Sequence, residues 1–126
     1  MQDLAIFAIA HQRTRWLEAR TAVLAHNIAN ADTPGFQARD IAPFESTMNK
    51  VRVGIGRTQA THIVPEGLAG GEFELRPRDG SEGKISGNSV SLELEMASLG
   101  EARSQHSVVT GVLGAFHRML MSSVRG

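Results

Sequence analysis

Apolar positions recur at alternating steps of three and four through the first quarter of the chain. Phe7, Ala10, Thr14, Leu17, Thr21, Leu24 and Ile28 form one such row. Ile9, Trp16 and Val23, each seven apart, form a second row on a neighbouring face. This spacing predicts a helix over residues 4–30 whose apolar surface is wider than a two-stranded seam requires. Alanines at 5, 8, 10, 19, 22, 25 and 29 favour the helix and let another helix approach closely. The same alternation returns at Leu92, Met96, Leu99, Arg103, His106, Thr110, Leu113, His117, Leu120 and Val124. It predicts a second helix over 89–124, with Asn88 or Ser89 as the N-cap. Leu99, Leu113 and Leu120 are its packing residues, and Phe116 adds a large apolar side chain, as Phe7, Leu17, Leu24 and Ile28 do for the first helix. Three polar positions, Arg103, His106 and Thr110, interrupt the second seam together and are expected to face a partner or solvent.

Between the two helical patterns the chain changes character. Pro43, Gly54, Gly56, Pro65, Gly67, Gly70, Gly71, Pro77, Gly80, Gly83 and Gly87 crowd into residues 37–87. Short alternating runs at Val51-Arg52-Val53-Gly54-Ile55 and Phe73-Glu74-Leu75 read as strands, and Asp79-Gly80 is a turn signal. Phe36, Phe44 and Met48 are placed to fold the start of this segment back on a helix. The expected architecture is mainly α. Two long terminal helices form an antiparallel, coiled-coil-like hairpin. Residues 1–36 and 88–126 make its core domain, and 37–87 a loop-rich insert with short β-strands and a small hairpin.

The first helix must stop before Pro34, because proline disfavours a helical conformation at Thr33. Asn30 is a suitable closing residue. Pro34-Gly35 fits the centre of a type II turn, with Gly35 at positive φ.

Composition narrows the classes of function. The chain has 126 residues, with Lys+Arg and Asp+Glu both 13. Residues 1–36 carry three of each sign, 37–87 seven, and 88–126 three. No basic arm exists, which argues against nucleic acid as a partner. Zero net charge favours self-association. Cysteine is absent, so there is no thiol chemistry. Leu4 to Ala10 is a short apolar run preceded by Asp3, unlike a secretory signal peptide. His106 and His117 are about 16 Å apart along a helix, too far to share a metal. Glu93 and Glu95 point to different faces and are expected to serve only the positive end of the second helix. Gly80-Ser81-Glu82-Gly83-Lys84 is too short for a phosphate loop. Composition alone leaves a cytoplasmic helical-hairpin binding module, such as a secretion adaptor or chaperone, beside a self-assembling structural subunit.

Two motifs separate these readings. The stretch from Asn27 to Asp40, with Asn27, Asn30 and Asp32-Thr33-Pro34-Gly35-Phe36, resembles the N-terminal signature of the flagellar rod and hook proteins. Gly87-Asn88, Val90 and Leu92-Glu93-Leu94-Glu95-Met96 resemble the segment that opens the C-terminal helix of that family. The resemblance implies a structural subunit of the proximal rod, with no catalytic residue, cofactor or small-molecule substrate. It also implies export by the flagellar type III system without a cleaved signal, and a place in the periplasm-spanning rod of the basal body. The implied partners are copies of the chain, other flagellar rod proteins, a basal-body adaptor protein, the membrane ring and the flagellar export gate.

Overall fold

The computed structural model describes residues 2–54, 73–78 and 90–126. Five elements follow in order: α1 (Gln2–Ala29), β1 (Arg39–Ile41), α2 (Phe44–Gly54), β2 (Leu75–Pro77) and α3 (Leu92–Arg125). No glycine or proline interrupts α1, and its alanines carry little side-chain entropy into the helix. The helices α1 and α3 run antiparallel. Going along α1, Phe7 meets Phe116, Arg13 meets Gln105 and Asn27 meets Glu95. The mainly α architecture with a terminal-helix hairpin is therefore as the periodicity predicts. No helix of the described residues is long and apolar enough to cross a membrane.

Three local expectations are corrected. The run from Val51 to Gly54 is the end of α2, not a strand, and Ile55 lies outside the described residues. Alternation over four residues competes there with Phe44, Met48 and Val51 at helical spacing, and the helical period wins. The second strand is Leu75–Pro77, with Phe73 in a bend before it. It pairs antiparallel with β1, which the pattern did not predict: Arg39 opposes Pro77, Asp40 opposes Arg76 and Ile41 opposes Leu75. Ala42 N–H donates to Glu74 O at 2.8 Å and Arg78 N–H to Ala38 O at 3.1 Å, closing the ladder at each end. Asp79-Gly80 lies outside the described residues, and α2 stands between the paired strands, so their connection is not a tight turn. Last, α3 begins at Leu92 with Ser91 as N-cap, whose backbone carbonyl accepts from Glu95 N–H at 2.9 Å. Asn88 and Ser89 lie outside the described residues.

Packing is denser at one end of the hairpin. Trp16, Leu17, Val23, Leu24, Ile41 and Ala102 form the core, flanked by Ala19, Phe44, Phe73, Leu99 and Val109. Two helices alone bury little between them, so β1, β2 and the start of α2 cover this end. The Trp16 indole N–H donates to Ala42 O at 2.9 Å, and Phe44 packs edge-on against the indole ring. At the other end the Phe7–Phe116 edge-to-face pair spans the helices with centroids 5.3 Å apart.

The inner face of α3 is not the predicted seam. Glu95, Ser98 and Ala102 are buried, whereas Leu92 and Met96 are 48% and 59% exposed. Arg103 and Thr110 are exposed as expected, but His106 is half-buried, with Nε2 3.5 Å from Glu18 Oε1. In its first three turns the helix is rotated by about one residue, or about 100°, from its most apolar orientation.

This rotation sets a clear contrast between two large side chains. Leu17→Ala, at a fully buried position of α1, is expected to cost about 2–5 kcal/mol. Met96→Ala is expected to stay within about 0.5 kcal/mol. Urea denaturation followed by circular dichroism makes the comparison.

Candidate functional site

The signature residues open with a double stop at the end of α1. Asn30 N–H and Asn30 Nδ2 both donate to His26 O, at 3.1 and 2.9 Å. Two turns follow in succession. Thr33 N–H donates to Asn30 O at 3.0 Å, and Phe36 N–H to Thr33 O at 3.2 Å. The second turn has Pro34 and Gly35 at its centre, with Gly35 at φ +75°, the left-handed value a type II turn requires. Proline presets the first central φ and glycine carries the second without Cβ strain. Phe36 then returns to pack edge-on against His26, with ring centroids 5.5 Å apart.

Asn27 does more than mark the helix end. It is buried, and its side-chain amide faces the backbone of Arg39. Arg39 N–H donates to Asn27 Oδ1 at 3.1 Å, and Asn27 Nδ2 donates to Arg39 O at 2.6 Å. The amide thus stands in for a neighbouring strand along β1. Its second Nδ2 hydrogen goes to Glu95 Oε2, 3.0 Å away on α3.

Glu95 is 1% exposed, and a carboxylate so placed costs several kcal/mol unless paired. Arg78, just after β2, supplies the charge. Its Nε lies 2.7 Å from Glu95 Oε1. That Nε–H has no acceptor at hydrogen-bonding angle, so the contact is an ion pair without a directed bond. The rest of the guanidinium is directed: Nη2 donates to Ser98 Oγ at 2.5 Å and Nη1 to Asp40 Oδ2 at 2.9 Å. Asp40 in turn accepts from Arg20 Nε at 3.2 Å and from Arg20 Nη2 at 3.3 Å. Two carboxylates and two guanidinium groups alternate from the interior towards the surface, and their charges cancel. Beside them, the Arg13 guanidinium lies 4.7 Å from the Trp16 ring centroid and 4.9 Å from that of Phe44, and donates to Gln105 Oε1 at 2.9 Å.

The structure thus unites Asn27 and Glu95 from the two predicted signatures, 68 residues apart in sequence. The expectation that Glu95 serves only the helix end is overturned by its burial and its partners. Glu93 is exposed, as are Asp32, Thr33, Pro34, Gly35, Leu92 and Met96, whereas Phe36 and Val90 are half-buried. Gly87 and Asn88 lie outside the described residues. Of the packing residues, Leu17 and Leu24 are fully buried, and Phe7, Ile28, Leu99, Leu113, Phe116 and Leu120 are half-buried. Sequence reasoning gave no role to Arg78, Arg20 and Ser98, and none to Asp40 beyond its place at the end of the signature. One signal was present: Glu95 lies four before Leu99 and seven before Ala102, on the inner face of the helix, where an acid needs a cation.

Comparison with known proteins agrees with these motifs. The family model for flagella basal body rod proteins matches residues 17–37, which span the second half of α1 and the signature turn. The flagellar basal body rod protein FlgB of Agrobacterium fabrum is 36% identical over 131 residues, covering 99% of this chain and 96% of that protein. FlgB of Salmonella typhimurium is 31% identical, covering 85% of this chain and 83% of the relative. FlgB of Escherichia coli is 33% identical, with coverage of 82% and 80%. Identity sustained across α1, the insert and α3, with the turn matched by the family model, shows that the chain belongs to the FlgB family of flagellar basal body rod proteins.

Proposed function

We propose that the chain is a non-enzymatic structural subunit of the flagellar basal body rod, assembled through the outward faces of its terminal helices. One observation carries this reading. Along α3, Leu92, Met96, Val108, Val112 and Met119 are between 48% and 62% exposed, although the inner face of the helix is already packed on α1. Apolar surface left by a completed hairpin marks a contact with other subunits. Ile6 and Ile9, each 49% exposed, extend such surface onto α1. Different faces on the two helices suit a head-to-tail contact, and a head-to-tail contact that does not close gives a helical tube. Residues 1–36 and 88–126 would supply the assembling core, with 37–87 as an insert that trims its position. Copies of the chain, other rod proteins, the adaptor protein, the membrane ring and the export gate are the proposed neighbours. The tube would transmit torque and enclose the export path by which its own subunits leave the cell. A chaperone or secretion adaptor would use the same amphipathic helices but leaves the family relationship without a role.

Two outcomes follow. Truncation after Gly111 removes Leu113, Phe116, Met119, Leu120 and Met121, and each large apolar side chain is worth roughly 1.5–3 kcal/mol when buried. The truncated chain is expected to be soluble yet absent from rods. Motility of cells carrying only this form would contradict the assembly reading. At the turn, a Cβ on Gly35 meets nothing within 4 Å, so substitution there acts through φ alone. Gly35→Val, β-branched and strained at φ +75°, is expected to lower rod incorporation far more than Gly35→Asn, since asparagine tolerates that region. Equal incorporation of the two variants, scored on purified basal bodies, would make the turn a mere linker.

A further inference from the structure

Two seams compete on the first three turns of α3. The one that faces α1 consists of Glu95, Ser98 and Ala102, with Leu99 at its edge. The other, one residue further round, consists of Leu92, Met96 and Leu99, and it is the more apolar of the two. Over these three turns, hydrophobic burial alone would favour a roll of about 100° towards the second seam, opposed further along α3 by Phe116, which packs on Phe7. The opposing force is visible in the contacts. Glu95 meets Asn27 of α1 at 3.0 Å and Arg78 of the returning strand at 2.7 Å, and Arg78 also holds Ser98 at 2.5 Å. Every one of these contacts requires the Glu95–Ser98–Ala102 face to point inward. Asp40 anchors Arg78 from β1 at 2.9 Å, so the strand pair and not only the helices fixes the orientation.

We infer that Arg78, with Asn27, is a latch that holds α3 in the less apolar of two registers and so keeps Leu92 and Met96 on the outer surface. Arg78 is a positioning residue, acting on the helix through Glu95. When it is seated, the buried carboxylate is neutralised and the polar register is favoured. When it is withdrawn, the uncompensated carboxylate is driven to water and the helix rolls to bury Leu92 and Met96 instead. A single polar group that selects one helix register at a cost in stability is an established device in coiled coils. Here the selecting group is delivered by a separate strand, so seating of that strand and presentation of the apolar stripe become one event. A bistable packed element of this kind switches between discrete arrangements and does not drift between them.

The absence of cysteine makes the test clean. Thiols are introduced singly at an outward and an inward position of the full chain, Met96→Cys and Ala102→Cys, and their labelling rates are measured with a maleimide. With Arg78 present, position 96 is expected to label at least tenfold faster than position 102, matching their exposures of 59% and 0%. In the Arg78→Met background the order is expected to reverse. Adding Glu95→Leu to Arg78→Met makes the inner face apolar and is expected to restore the original order. An unchanged order in Arg78→Met overturns the latch. So does fast labelling at both positions, which means that the end unravels and does not roll. Failure of Glu95→Leu to restore the order overturns it as well, because the carboxylate would then not be the driving group.

Discussion

The arrangement depends on keeping one carboxylate, Glu95, out of water. Its burial forces three separate pieces of chain to one point: the end of α1 through Asn27, the return strand through Arg78, and β1 through the Asp40 that anchors Arg78. The end of α1 and β1 are neighbours across the signature turn, but Arg78 is remote from both in sequence. Desolvating such an ion is costly, and removing a single partner from a buried pair typically costs about 3–5 kcal/mol. The same network satisfies Asn27, whose amide also serves the backbone of Arg39. Helix end, strand pair and second helix are therefore secured together, at the end of the hairpin where the apolar core also lies.

Much of the fold was legible because periodicity reports local geometry. The two long helices, their antiparallel pairing and the stop before Pro34 follow from spacing and from the backbone limits of proline and glycine. Legibility failed where a choice depended on distant residues. Leu92 and Met96 look like core positions, yet the face that meets Asn27 and Arg78 is the one carrying Glu95 and Ser98, and it leaves them outward. A three-residue strand such as Arg39–Ile41 is too short to show alternation, and its partner on one side is a side-chain amide. Val51 to Gly54 alternates like a strand but completes the helical repeat of Phe44 and Met48. The signature asparagine and the glutamate were both singled out in the sequence; that they touch was not, since nothing local joins residues 68 positions apart.

The outer face of α3 carries the other unresolved tension of a lone subunit. Gly100 and Gly111 lie in the helix interior, where glycine costs roughly 1 kcal/mol against alanine. A Cβ at either would meet nothing within 4 Å among the described residues. Packing among the described residues gives no reason for them. They lie on the same helix as the exposed Val108 and Val112. Under the proposed assembly, small residues beside exposed apolar side chains would let another helix approach closely, and the buried charge network would govern which face of α3 is offered to it.

A double-mutant cycle between Arg78 and Glu95 tests this account most directly. Equilibrium unfolding of the parent chain, Arg78→Met, Glu95→Gln and the double variant yields their coupling energy. The account predicts a coupling above about 1 kcal/mol, with the double variant more stable than the sum of the single losses implies. Additive losses, with coupling near zero, would show that the two side chains act independently and that the orientation of α3 is set by something else.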